Sequence, residues 1–357
     1  MKIKKLLGLT LIASVFFTAC SSDDDASETP LGDYDNGVII LNQGNYNSTN
    51  ASVSFLSNNL SVQQNNIFSL VNPSITLGDT GQDIGFHNNL AYIVVNNSHK
   101  IEIVNRYSFE HVATISSGLN NPRYIAFTNG KAYVTNWGDA SNPNDDFVAV
   151  INLNNHSVSS TIAVVEGPER IIEENGKLYV SHKGGWNQGS QVSVINASNN
   201  TVATTITVGD LPDTIAIKNG ILYVLCEGKG AWTNNETGGK LVKINLSNNS
   251  ITATLNFATN EHPSHLQIEN NAIYYVLEND IFKTSLEAAS LPSSPLFSTT
   301  SQNVFAINSL ALQNNTFYVG DALDFNSNGK VLVYTATGVF KNTFTVGIIP
   351  SGFYFNN

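Results

Sequence analysis

Cysteine is nearly absent: Cys20 and Cys226 are the only two in 357 residues, too few for a disulfide-stapled scaffold. Charge is sparse as well, at 13% of residues, and unbalanced, with 17 basic against 28 acidic residues and a formal net charge of −11. Nucleic-acid binding needs a basic footprint. No Lys/Arg cluster lies beyond the first five residues, so no nucleic-acid partner is expected, and the acidic excess reads as solubility. Long runs with helical periodicity are missing. So are a nucleophile elbow, an HExxH pattern, a CxxCH haem attachment and a glycine-rich phosphate loop between strand and helix. No enzyme chemistry, cofactor or metal is expected from such a chain.

Short alternating strands are what the chain has in quantity. Gly167 to Gly209 reads as four of them: Arg170–Glu173, Lys177–Ser181, Gln191–Ile195 and Thr201–Val208. The first two are joined by Asn175-Gly176, a hairpin signal because both central residues of the turn must take positive φ. Aligning the chain on the tyrosine of KLYVS recovers the pattern at Tyr92, Tyr133, Tyr179, Tyr223, Tyr274 and Tyr318, with spacings of about 41 to 51 residues. Each tyrosine follows a two-residue turn of one chemical type, from Asn88-Asn89 and Asn129-Gly130 to Asn270-Asn271 and Asn314-Asn315. Six four-stranded meanders are visible. A seventh forms if the terminal run Ser351–Phe355 pairs with the strands supplied by Val38–Ile75, which would close a ring and hide its open edges. The expected fold is all-β, a seven-bladed β-propeller of four antiparallel strands per blade, occupying residues 37–357 as one domain.

The first nineteen residues read as a processing signal, with Lys2, Lys4 and Lys5 ahead of the apolar run Leu6–Phe17 and then Thr18-Ala19-Cys20. An apolar run of about a dozen residues is too short to span a bilayer. The stretch resembles the lipobox of bacterial lipoproteins, which implies lipidation at Cys20 and a membrane anchor there. Loss of the three lysines takes the mature charge to −14. Residues 20–36, acidic at Asp23, Asp24, Asp25 and Glu28, are expected to be a disordered tether. Their acidity resembles the surface-export signal of outer-membrane lipoproteins, which implies a cell-surface location. Cys226, left without a partner, reads as a partly buried small apolar residue rather than a nucleophile.

In a propeller the loops between second and third strands emerge on the same face as the connections between blades, opposite the Asn-Gly turns. All three tryptophans, Trp137, Trp186 and Trp232, fall in such loops in consecutive blades, and Tyr46 and Phe325 occupy corresponding loops beside the closure. Clustered aromatics on one face point to a recognition surface, and indoles suit flat, conjugated or carbohydrate ligands. The bland alternative is that each tryptophan caps its own blade. Arg123, Arg170, Asp213 and His265 lie near the channel mouth, and His182 shares a loop with Trp186. These are candidate hydrogen-bonding groups for the same ligand, with inter-blade ion pairs as the alternative for the two arginines. Glu261, His262 and His265 are the only residues that could be nominated for a divalent metal.

The repeat pattern carried by GPERIIEENGKLYVS…VSVINASNNTVATTITVG resembles the YncE-like seven-bladed propellers across essentially the whole mature chain. With a lipidated leader and an acidic tether, the chain is similar to the BtuG-type surface lipoproteins. That resemblance implies a corrinoid as ligand and a TonB-dependent outer-membrane transporter as partner. Two other readings stay open: a protein-binding scaffold on the same face, and a metal-dependent lyase or hydrolase resembling the streptogramin-inactivating propellers.

Overall fold

The computed structural model describes residues 30–139 and 141–357. The expected signal peptide, Cys20, Asp23, Asp24, Asp25 and Glu28 lie outside them. Twenty-eight strands form seven four-stranded antiparallel sheets. Blade 4 is the sequence repeat seen directly: Pro168–Glu174, Lys177–His182, Gln191–Asn196 and Thr201–Thr207. Blades 2, 3, 5, 6 and 7 follow the same order, opening at Gly81, Pro122, Pro212, Ser264 and Ile307. Blade 1 is composite. The last strand, Pro350–Asn356, pairs antiparallel with the first, Gly37–Asn42, from Gly37 opposite Asn356 to Asn42 opposite Pro350.

The turns obey the φ requirement that makes them legible. At Asn129-Gly130, Asn175-Gly176, Asn219-Gly220, Asn270-Asn271 and Asn314-Asn315 both central residues have positive φ, and at Asn88-Asn89 only Asn88 does, at 52°. Asparagine tolerates this region because its short side chain hydrogen-bonds locally.

The aligned tyrosines are all buried. They join blades: the Tyr133 hydroxyl donates to Ala197 O at 3.1 Å and to Asn200 Oδ1 at 2.9 Å in the next blade. Tyr274 meets Phe317 of the next blade edge to face, with ring centroids 5.4 Å apart. The core is accordingly divided among the blade interfaces. Val192, Val194 and Tyr179 of blade 4 pack with Ile215, Leu222 and Val224 of blade 5, and Val38 and Ile40 of blade 1 pack with Tyr318 and Val331 of blade 7. Burying one such side chain stabilises by about 1.5–3 kcal/mol, and each blade gains most of that only against its neighbours.

One boundary differs from the expectation. The tether was expected to run to Asn36, but Tyr34 is buried, stacked edge to face on Phe55 and Phe109. Its N–H donates to Tyr107 O and its carbonyl accepts from the Asn356 amide. One aromatic in an otherwise polar run supplies enough apolar area to dock it.

Ending the chain at Ile349 removes the inner strand of blade 1 and exposes both the Gly37–Asn42 edge and the blade 7 face. Such a chain is expected to lose cooperative thermal unfolding, read by near-ultraviolet circular dichroism. A midpoint unchanged from the full chain would refute closure as the source of stability.

Candidate functional site: an aromatic cavity beside a polar channel

Every first strand begins with a β-bulge where it meets the second, as at Pro122/Ile125, Pro168/Ile171, Pro212/Thr214 and Ser264/Gln267. A bulge re-aims the side chains beside it. Here it turns the second and third residues of each first strand toward the axis, and polar residues recur at both positions.

The second positions of blades 2 to 5 hold Gln82, Arg123, Glu169 and Asp213. Arg123 and Glu169 form a bidentate pair, with Nη2 to Oε1 at 2.6 Å and Nε to Oε2 at 3.0 Å, and Arg123 Nη1 donates to Gln82 Oε1 at 2.7 Å. The Arg123 guanidinium also lies 4.0 Å over the Trp137 ring. Arg123 was expected as a ligand donor. Its hydrogen bonds are taken by neighbouring blades, so the inter-blade ion pair describes it.

Trp137 is likewise structural: its indole N–H donates to Pro168 O at 3.1 Å. The reason is register. Trp137 is the first residue past its second strand, the place held by Lys183 and Glu227 in the next two blades, whereas Trp186 and Trp232 sit further out in their loops. The three tryptophans are consecutive by blade and unequal by position.

Trp186 and Trp232 come together. They are 77% and 76% exposed and line one cavity of about 520 Å³ with Leu211, Lys183, Glu227 and His262. Both loops are held from below. Gly184 and Gly185, at φ 101° and 61°, turn the first, where a Cβ on Gly184 would stand 2.3 Å from Gly189 N. The second carries Trp232 on the single turn Ala231–Thr233 and is tied to Asp210 by Thr237 Oγ1 at 2.8 Å and by the Lys229 ammonium at 3.2 Å.

Beneath the indoles lies a charge cluster that the aromatic pattern did not disclose. Lys183 Nζ is 2.8 Å from Glu227 Oε1 and 3.7 Å from Asp213 Oδ2. Burial and the adjacent Asp213 push Glu227 up to about 7, against the pull of Lys183. Burial would raise Asp213 too, but Lys183 and Arg170 outweigh it and hold that carboxyl at about 2. The signal that could have found the cluster was opposite charges at one repeat position in adjacent blades, Lys183 and Glu227.

Other expected residues are elsewhere. His182 is buried, with Nε2 2.8 Å from Ser193 Oγ, and burial lowers its pKa to about 4. It ends the second strand and points into the sheet, away from the cavity. Arg170 and His265 line a separate cavity in the channel, and Asp213 stands between the two sites. Tyr46 is 68% exposed across the ring, where the neighbouring Asn45 amide donates to Phe325 O. Glu261, His262 and His265 do not converge. Glu261 accepts from Ala258 N, His262 is held by Glu227 O and Glu236, and His265 by Ile307 O. Among the described residues no three His, Cys, Asp or Glu side chains are grouped to hold a metal ion.

These features define a seven-bladed all-β propeller with an aromatic cavity on its long-loop face. The chain belongs to the family described as domain of unknown function DUF5074, matched over residues 36–351. No curated protein matches it in sequence. Among solved structures it is similar to a quinoprotein alcohol dehydrogenase-like protein of Bacteroides thetaiotaomicron. That match has TM-score 0.66 and 16% identity and covers 91% of this chain and 79% of that one. It is similar also to the periplasmic gluconolactonase of Pseudomonas aeruginosa, at TM-score 0.65 and 10% identity over 90% and 99% of the two chains. A functionally unknown protein of Desulfotomaculum acetoxidans gives 0.62 and 12% over 89% and 98%. At these identities the likeness shows the fold alone.

Two outcomes follow from the charges. Glu169→Ala strands the Arg123 guanidinium and is expected to cost about 3–5 kcal/mol in chemical denaturation. A loss below about 1 kcal/mol, the surface-pair range, would contradict the pairing. Because the Glu227 carboxyl is raised from 4.5 to about 7, its contribution to stability is full below 4.5 and is lost as pH rises through about 7. Glu227→Gln should therefore flatten the fall of the thermal midpoint over that window, and parallel curves for the two proteins would exclude the shift.

Proposed function

We propose that the protein is a non-catalytic binding propeller that captures a bulky, ring-containing small molecule between Trp186 and Trp232. The observation that carries this reading is the pair of largely exposed indoles on one cavity, each on a braced loop. Water-exposed tryptophan is unfavourable unless something covers it, and an indole offers a wide flat surface with few rotors to freeze. The cavity volume falls within the ~300–1,000 Å³ of small-molecule sites. Lys183 and Glu227 on the cavity wall supply a donor and an acceptor that orient the ligand, and His262, with both ring nitrogens engaged, contributes only the face of its ring.

The resemblance to BtuG-type lipoproteins makes a corrinoid the first ligand to test. It also extends the reading to a lipid-anchored protein at the outer-membrane surface that passes its ligand to a TonB-dependent transporter. A second reading, a protein-binding scaffold, is favoured by one observation. Tyr46, Phe305 and Phe325, on the long-loop side of blades 1 and 7, are all exposed and leave an apolar patch of the kind that docks a protein partner.

Calorimetric titration with cyanocobalamin tests the capture reading. Trp186→Ala and Trp232→Ala are each expected to weaken binding about tenfold or more, which is about 1.4 kcal/mol, while Trp137→Phe leaves affinity unchanged. No heat at micromolar ligand would remove the corrinoid. Equal affinity in all three variants would remove the cavity.

A further inference from the structure

The channel holds a second cavity, of about 380 Å³, whose polar end is lined by Arg170, Thr214 and His265. It continues along the inner strands to Gln313 and Phe355, at the ends that meet the short turns, so it runs toward the face opposite the indoles.

Most polar groups around the axis are satisfied. Asp83 accepts from Ile125 N–H and from the Tyr354 hydroxyl, both at 3.0 Å, and Ser309 donates to Pro350 O at 2.8 Å. Arg170 is the exception. Its guanidinium is clamped 4.0 Å over the Tyr124 ring, yet its Nε is buried without an acceptor, and among the described residues no carboxylate closes an ion pair with it. Thr214 Oγ1, buried on the same cavity, also lacks a partner. His265 Nε2 faces Ile307 O at 3.3 Å, and burial keeps the ring neutral at neutral pH, which leaves Nδ1 as an open acceptor. Gln267 donates to Leu310 O at 3.0 Å and keeps its own carbonyl oxygen open. A rigid set of unused donors and acceptors thus converges on one hollow, and buried polar groups of this kind ordinarily have partners.

The charge around the hollow decides what fits. Among the described residues Arg123, Arg170 and Lys183 are the cations near the axis, and Asp83, Glu169, Asp213 and Glu227 are the facing acids. Asp213 and Asp83 act on the Arg170 guanidinium and offset its charge, and burial raises both Asp83 and Glu227, so the surroundings are close to neutral and do not call for an anion. A neutral group rich in oxygen acceptors, carrying hydroxyl donors for His265 and Gln267, meets every open site. Leu312, Phe353 and Phe355 further along offer apolar contact to the C–H face of a ring. We infer that the channel is a second binding site, for a neutral polyhydroxylated molecule of monosaccharide size held by Arg170 and Thr214.

The test uses the full chain in detergent and ligand-observed NMR with glucose, N-acetylglucosamine and myo-inositol as neutral probes and glucuronate and phosphate as anions. At least one neutral probe is expected to bind. Arg170→Met, which keeps a stem over Tyr124, should weaken it about tenfold, or about 1.4 kcal/mol. Thr214→Val should weaken it in the same direction, and it gives the same reading if the arginine variant does not fold. Trp186→Ala should leave this binding unchanged while weakening capture at the indoles, so the two sites fail separately. Binding of none of the neutral probes, preference for an anion, or affinity indifferent to both channel substitutions would overturn the site.

Discussion

The strand pair that joins residues 350–356 to residues 37–42 is the constraint on which the rest of the molecule depends. Seven small sheets each bury one face on the next, and none has enough apolar area to stand alone. Stacked in an open arc, they would leave an apolar face bare at each end. Closure removes both bare faces at once. Asn356, at the tip of the last strand, clasps Tyr34 and Arg106 through side-chain hydrogen bonds, so the entry segment, blade 1 and blade 2 are fastened at one point.

Closure also creates the polar centre. With seven inner strands directed around an axis, the bulge at each strand start brings second- and third-position residues from distant parts of the chain into one ring. Arg123 and Glu169, both at second positions, lie 46 residues apart, and third-position Asp83 accepts from Tyr354, the fifth residue of its strand and 271 residues away, yet both pairs are in hydrogen-bond contact. The long-loop face, by contrast, is governed locally: whether an indole is consumed by packing or left to solvent depends on its distance from the strand end. Trp137, immediately past the strand, reaches Pro168 O and Arg123. Trp186 and Trp232, further out, reach neither.

Much of the architecture was legible because it repeats. The φ rule at the Asn turns and the alternation around each tyrosine recur often enough that chance is excluded, and the lone terminal strand announced a ring that needed it. The site was less legible. Aromatic count singled out the long-loop face, where Trp186 and Trp232 share a cavity, but treated Trp137 as the equal of the other two. His182 shared a loop with Trp186 by sequence, and one residue of strand pairing turned it into the sheet. Lys183 and Glu227 carried no motif, since an ion pair between repeats is written as two unrelated letters in separate blades.

By itself, then, the sequence determined the local rules: which residues turn, which alternate, how many blades there are and which end must find the other. Those depend on backbone sterics and on burial period, both of which act within a few residues. The tertiary structure alone decided which polar groups meet and which remain open, such as Arg170 over Tyr124 with its Nε unpaired. Contact between blades is a matter of radius and angle around the axis, and no spacing along the chain encodes it.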